Sequence, residues 1–415
     1  MIEICIQESC TGCSACSNVC AADAIRMVTD QEGFLRPVID NDKCKDCGLC
    51  KKICPANTSD KFLKPIDIYS GWSANSKTRL TSSSGGVFWE LASHIINIGG
   101  YAVGCLLDEN FVARHAVVNT IEGLTKLKGS KYTQSVIGTT FQETKNLLQG
   151  GKIVLFSGTP CQVAGLRAFL RKDYDNLLTI DVICHGVPSP KLFRDYLDFI
   201  KSRNNISKIE TISFREKRTS WMLYNMNIQG INPNGQSVTY IGGYLTDPWI
   251  RGFLGDNFLR PCCYTCKYSK PERVSDFTIA DWWSYVPKDK DYSFLQKGVS
   301  SLTCNTSKAR MLLNLCMSNL ILQKRTLEDY LKTNPSLTHS WKAPDTRDEF
   351  WNQYKKYGFN VALVHKYMPR KRLILLRHIS MRNRSSQAIR IFIKLLEKKN
   401  FFLKKFKLDK YQIKF

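Results

Sequence analysis

The sequence of 415 residues lacks an apolar run long enough to cross a membrane. Its longest uncharged apolar stretch, Leu91 to Leu107, is broken by Ser93, His94, Asn97, Gly99 and Gly100 and reads as a helix, a turn and a strand. The start, Met1-Ile2-Glu3-Ile4-Cys5, lacks the basic and apolar regions of a secretory leader, so a cytoplasmic protein is expected. Acidic residues are few: 36 Asp and Glu stand against 60 Lys and Arg, a net charge of +24. No RNA- or DNA-reading motif accompanies that charge, which argues against nucleic acid as the partner. With 43% hydrophobic and 23% charged residues, the composition is that of a globular protein of two or three domains.

The charge is unevenly spread. Residues 1–60 carry six Lys and Arg against nine Asp and Glu, whereas residues 351–415 carry eighteen against two. That last segment mixes its cations with apolar clusters such as Leu373-Ile374-Leu375-Leu376 and Ile391-Phe392-Ile393. A basic amphipathic tail over residues 340–415 suits peripheral contact with the anionic inner face of a membrane. It equally suits docking by an apolar face on its own domain or on a partner.

What the chain does have is cysteine. There are seventeen, nine of them within the first 54 residues, and without an export signal they point to metal ligation over disulfides. Two runs stand out: Cys10-x2-Cys13-x2-Cys16-x3-Cys20 and Cys44-x2-Cys47-x2-Cys50-x3-Cys54, the second followed by Pro55. Three cysteines at such spacing face one iron–sulfur cube, and the fourth points away to ligate the other. Cys10, Cys13, Cys16 and Cys54 are therefore expected to hold one 4Fe–4S cluster. Cys44, Cys47, Cys50 and Cys20 are expected to hold a second. Zinc sites use paired CxxC motifs, a pattern that two four-cysteine runs do not fit. Residues 3–58 resemble bacterial-type two-cluster ferredoxins, apart from Ala21, where those proteins usually carry proline.

From Lys64 onward the pattern changes to alternating strands and helices, which suggests a parallel sheet. Ser83, Ser84, Gly85 and Gly86 precede a helical run from Val87. A glycine-bearing loop there offers free amides to a phosphate, although a plain helix cap explains the same residues. Lys152–Phe156 reads as a buried strand that leads through Thr159-Pro160-Cys161 into a helix, Gln162 to Leu170. Leu178–Ile183 reads as a second strand, ending in Cys184-His185-Gly186 before a helix from Lys191 to Lys201. Both cysteines fall at strand carboxyl ends, where open α/β sheets bind ligands. Cys263 and Cys266 follow far downstream. Spacing alone leaves four readings open: a third cluster, a low-pKa Cys161 nucleophile, a Cys263/Cys266 redox pair, and core cysteines.

Five motifs in fixed order carry a more specific resemblance. They are Ser83-Ser84-Gly85-Gly86, Gly129-Ser130-Lys131-Tyr132, Gly158-Thr159-Pro160-Cys161-Gln162, Cys184-His185-Gly186 with Ser189-Pro190, and Arg260-Pro261-x-Cys263-x2-Cys266. Together they resemble the family of coenzyme F420 hydrogenase and dehydrogenase beta subunits over about residues 65–300. The resemblance implies FAD beside a third 4Fe–4S cluster ligated by Cys161, Cys184, Cys263 and Cys266. It implies phosphate contacts at Ser83, Ser84, Gly85 and Gly86, and further flavin contacts at Ser130, Lys131 and Tyr132. Lys131 would stabilise the anionic reduced flavin, and His185 and Asp281 are further candidates for catalysis. The family usually has glycine where Ala280 and Ser284 stand, so ligand placement there differs. Cys5, Cys105, Cys262, Cys304 and Cys316 are left as structural, with Cys262 able to replace Cys263.

The expected fold class is α+β and α/β. A ferredoxin-like two-cluster module fills residues 1–60, an α/β domain with a largely parallel sheet fills 65–335, and the basic helical tail follows. The expected function is an iron–sulfur flavin-dependent oxidoreductase. It would move electrons between 4Fe–4S clusters and a two-electron step on an organic molecule, with a redox partner protein or a small-molecule donor or acceptor. The alternative is a non-enzymatic electron-relay subunit docked on another redox protein.

Overall fold

The computed structural model describes residues 3–218, 220–287, 294–360 and 362. An antiparallel hairpin of β1 (Ile25–Thr29) and β2 (Leu35–Ile39) joins two short helices, α1 (Ala15–Val19) and α2 (Leu49–Lys52), to form the N-terminal module. Gly12 and Gly48 hold equivalent places in the two cysteine runs, with φ of +68° and +67°, a conformation that glycine adopts freely. A module of this size buries little: its own core is Ile4, Ile25, Cys16, Cys50 and Cys54. Its stability therefore leans on ligands and on the rest of the chain.

The body is built on β3 (Asp67–Ser73), β4 (Tyr101–Leu107), β5 (Ala113–Val118), β6 (Val154–Gly158), β7 (Leu177–Val182), β8 (Lys208–Glu216), β9 (Asn225–Ile231), β10 (Ser237–Gly243), β11 (Phe277–Asp281), β12 (Ser300–Cys304) and β13 (Leu320–Lys324). Eight of these form one sheet in the order β13-β3-β12-β11-β7-β6-β4-β5. The pairs β4–β6, β6–β7 and β7–β11 are parallel, while the flanking pairs on both sides are antiparallel. The fold is thus the expected α/β one, with a mixed sheet whose parallel part is central. Helices cover both faces: α3 (Ser76–Thr81), α4 (Val87–Asn97), α5 (Ile121–Leu127), α6 (Thr140–Gln149), α7 (Pro160–Leu170) and α8 (Pro190–Arg203) come from this half of the chain. β6 shows why its run is apolar throughout. Leu155 packs into the core beneath α4, while Val154 and Phe156 join α6 and α7 on the opposite face.

A second, antiparallel sheet, β10-β9-β8, packs with α8 around Trp249, Phe214 and Tyr196. The helix Arg347–Tyr357 buries Phe350, Trp351 and Tyr354 in that same core. The start of the segment expected as a basic tail is therefore packed on the body. Residues 363–415, with both apolar clusters and most of the tail's charge, lie outside the described residues. No helix among the described residues is long and apolar enough to cross a membrane.

The module is fastened to the body at many points. Arg260, 1% exposed, donates from Nε to the Cys10 carbonyl (2.7 Å) and from Nη2 to the Leu35 carbonyl (2.8 Å). Glu32 pairs with Arg347 (2.9 Å) and Asp60 with Lys267 (2.7 Å). Cys13, Ala15 and Ile53 lie in one core cluster with Val163 and Leu166 of α7. Gly165 lets α7 approach this closely: a Cβ there would stand 2.9 Å from Cys13 Cβ and 3.0 Å from its sulfur.

Candidate functional site

The module gathers its cysteines crosswise. Burial pushes the Cys13 thiol up to about 11, and Cys54 and Cys10 stand close enough to add to the shift. Burial likewise raises Cys16, with Cys13, Cys10 and Cys54 beside it. Cys50 is raised by burial with Cys20 and Cys47 as its neighbours. Cys54 of the second run thus stands beside cysteines of the first, and Cys20 of the first beside Cys50 of the second. Cys5, left as structural, instead sets its thiol on Cys10 and Cys54. No three His, Cys, Asp or Glu among the described residues close up as a single-ion site. A set of cysteine thiolates alone is the ligand chemistry of clusters of soft metal atoms.

In the body, Pro160 and Cys161 are the first residues of α7, Cys184 follows β7, and Cys263 lies in a 3-10 turn, Pro261–Thr265, that ends at Cys266. These remote segments converge. Burial raises the Cys161 thiol well above its ordinary value, with Cys184, Cys262 and Cys266 in electrostatic reach. Cys184 is pushed up to about 12 by burial, beside Cys266 and Cys262. Cys263 is raised by its hydrogen bond with Cys262 and by burial, with Cys184 near. Five thiols therefore gather where four were expected, Cys262 being the addition. Upward shifts of this kind oppose the reading of Cys161 as an activated nucleophile, which needs a depressed pKa.

Hydrogen bonds run inward from this group. The Thr159 hydroxyl lies 3.1 Å from Cys161 Sγ and 3.1 Å from Gln162 Oε1. Gln162 Oε1 also accepts from the Thr159 amide (2.9 Å), and Gln162 Nε2 donates to Ser135 Oγ (2.8 Å). Ser135 Oγ in turn meets Nδ1 of the buried His115 (3.2 Å). The hydroxyl has one proton for two acceptors. A ligating thiolate, which carries none of its own, would take it.

The expected flavin residues divide. Ser83, Ser130 and Lys131 line one cavity of about 620 Å³ between α3, α5 and β8. Ser83 Oγ accepts from the Ser130 amide (2.8 Å), which ties the two motifs together. Ser84, Gly85 and Gly86 turn away from it. Ser84 Oγ donates to the Val299 carbonyl (2.8 Å), and the Gly85 amide donates to Ser300 Oγ (2.8 Å). Gly85 is small because β3 passes over it: a Cβ would lie 2.5 Å from the Gly71 carbonyl oxygen. Gly86, at φ +93°, caps α4. Tyr132 stacks on Phe253 at 4.8 Å in the aromatic core. Lys131 donates to the carbonyls of Lys126 (3.2 Å), Leu127 (3.0 Å) and Lys128 (3.0 Å), the last turn of α5, and burial holds it down at about 8.

His185 and Asp281 are both engaged elsewhere. His185 Nε2 pairs with Asp256 Oδ1 (2.6 Å), its ring between Phe253 and Trp341. Asp281 pairs with Arg215 and accepts from Trp221 Nε1 (2.7 Å). Arg215 carries the point that sequence reasoning missed. It lines the cavity, is 6% exposed, and its Nε and Nη2 are buried without a hydrogen-bond partner. A guanidinium in the wall makes the cavity suited to an anionic ligand, while its two unpaired donors are turned into the protein beside Tyr132. Lys77 and Lys128 add two further cations to the lining. Behind the wall, the buried Lys217 donates to the carbonyls of Arg79 (2.8 Å), Ser84 and Lys297 (2.6 Å), and desolvation lowers it to about 7.

Comparison with known proteins finds partial similarities. Residues 151–330 match the family described as the C terminus of the coenzyme F420 hydrogenase/dehydrogenase beta subunit, and residues 9–58 match the 4Fe-4S dicluster domain. The F subunit of the F(420)H(2) dehydrogenase from Methanosarcina mazei is 25% identical over 195 residues, 44% of this chain and 55% of that protein. The ferredoxin-type protein NapF of Haemophilus influenzae is 38% identical over 45 residues, 11% of this chain and 26% of that protein. The chain therefore spans about half the length of the first of these relatives and about a quarter of the second. A chain of the F420-reducing NiFe hydrogenase complex from Methanosarcina barkeri superposes with a TM-score of 0.44 at 14% identity, covering 73% of this chain and 97% of that one. The chain is thus similar to 4Fe–4S dicluster domains over residues 9–58 and to the C terminus of coenzyme F420 hydrogenase/dehydrogenase beta subunits over residues 151–330.

Proposed function

We propose that this chain is an iron–sulfur flavoprotein oxidoreductase that links one-electron carriers to a two-electron step on an organic molecule. The observation that carries the reading is the convergence of Cys161, Cys184, Cys262, Cys263 and Cys266 at the sheet's carboxyl ends, one helix away from Cys13 of the module. Four of those thiolates would hold a third cluster, and the cation-lined cavity would hold FAD. When bound, the clusters carry single electrons and the flavin exchanges a hydride equivalent with the organic partner. Arg215, Lys77 and Lys128 would neutralise the flavin's anionic parts, and Ser83 would fix the loop they approach. Lys131 would act through α5, holding the last turn of the helix that carries Lys128. The Methanosarcina mazei relative is named as one subunit of a dehydrogenase and for F420H2. That supports a redox partner protein and a hydride-carrying heterocycle as the organic partner.

The test is rapid reduction of the anaerobic holoprotein by a one-electron donor. Cluster bleaching and flavin bleaching are expected in sequence within one turnover. Clusters that reduce fully while a bound flavin stays oxidised would contradict the reading and leave an electron-relay subunit.

Thr159 supplies a second check. Its hydroxyl would favour the more negative, reduced state of the third cluster. Thr159→Val is expected to lower one cluster potential by about 60 mV, the equivalent of one hydrogen bond of about 1.4 kcal/mol. Thr159→Ser should restore it. A redox titration followed by electron paramagnetic resonance measures both.

A further inference from the structure

The two cysteine groups of the module differ in what faces them. Gly12 and Gly48 are counterparts, yet a Cβ on Gly12 would stand 2.4 Å from Gln134 Nε2 and 2.9 Å from Arg260 Nη1 of the body. A Cβ on Gly48 would meet nothing within 4 Å. Cys10, Cys13, Cys16 and Cys54 of one group are all buried, whereas in the other Cys50 is buried, Cys20 and Cys44 are half-buried and Cys47 is exposed. One group thus faces the body and the other faces solvent.

Charge is sorted the same way. The module has more acids than bases, but Asp30 pairs with Arg36, and Glu32 and Asp60 pair with Arg347 and Lys267 of the body. Lys43, Lys45, Lys51 and Lys52 are exposed around Cys47, and no ion pair among the described residues includes any of them. Asp42 and Asp46 are the exposed acids of that loop and Asp23 is the exposed acid beside Cys20, so four cations stand against three acids and the rim remains net positive. A positive rim around an exposed redox centre attracts a negatively charged partner and speeds its encounter.

We infer that this outer face is where a small acidic one-electron carrier protein docks. The inference rests on the reading that Cys20, Cys44, Cys47 and Cys50 hold a cluster. In the transfer, the carrier is oxidised by one electron and that centre is reduced by one. No bond forms or breaks, and no proton moves.

The test uses the full-length holoprotein and, as probe, a reduced acidic bacterial ferredoxin in anaerobic stopped flow. The second-order rate of cluster reduction is expected to fall about tenfold or more as ionic strength rises. At low salt, the Lys43→Glu, Lys45→Glu, Lys51→Glu, Lys52→Glu variant should react about tenfold more slowly than wild type with unchanged iron content. A wild-type rate that is flat or rises with salt overturns the proposal, and so does an unslowed variant. If the charge-reversed variant loses iron, the corresponding Lys→Gln variant and the wild-type salt dependence decide. Iron assay separates the two failures. A wild-type module without iron sinks the cluster reading itself, whereas full iron with a salt-independent rate sinks only the docking face.

Discussion

Cys161→Ser is expected to strip about four irons from each chain while the module keeps its own. Serine preserves size and polarity, so the start of α7 should still form. Its hard oxygen is a poor ligand for the soft metal atoms that thiolates hold. Cys262 is a fifth thiol within reach of Cys161, so the loss should be complete once Cys262→Ser is added and no spare thiol remains in the group. Cys105→Ala provides the control, since Cys105 lies outside the converging group and should leave iron content unchanged. Iron assay and circular dichroism distinguish lost ligation from lost fold. Retention of all iron in the Cys161→Ser, Cys262→Ser double variant would remove Cys161 from the ligand set.

Arg215→Met should weaken flavin binding by about 10- to 100-fold, the worth of hydrogen bonds to a charged group. The guanidinium lies over Tyr224 at 4.6 Å and Trp283 at 5.1 Å, so methionine can fill part of its space. Asp281, however, would lose its ionic partner, and a half-buried carboxylate left with only the Trp221 donor destabilises the fold by itself. Arg215→Met combined with Asp281→Asn removes both charges and isolates the effect on binding. Equilibrium dialysis of flavin against each variant measures it. Wild-type affinity in the double variant would show that the Arg215 charge does not act on the flavin.

How much of this was legible in sequence depends on whether the determinants are local. The dicluster module was, because the spacing of its two cysteine runs is a local pattern that the 9–58 match shares. The helix expected from Gln162 to Leu170 forms as Pro160–Leu170, since the Thr159 cap and Pro160 act within one turn. Gly85 was misleading for a physical reason: the loop looks like a phosphate cradle, but the missing Cβ makes room for the Gly71 carbonyl. Lys131 points its ammonium to the end of α5, a choice set by burial that no motif records. Arg215 and Lys217 were invisible, because they sit at the end of β8 in the second sheet and reach the Ser83 loop only through the tertiary fold. Asp281 was singled out, but its partners Arg215 and Trp221 lie about sixty residues upstream, with no local pattern to announce them.

The central claim is that thiolates from remote segments hold a third cluster beside a bound flavin. Anaerobic purification followed by iron and flavin quantitation tests it most directly. The account predicts about twelve irons and one FAD per chain. About eight irons with no flavin would contradict it.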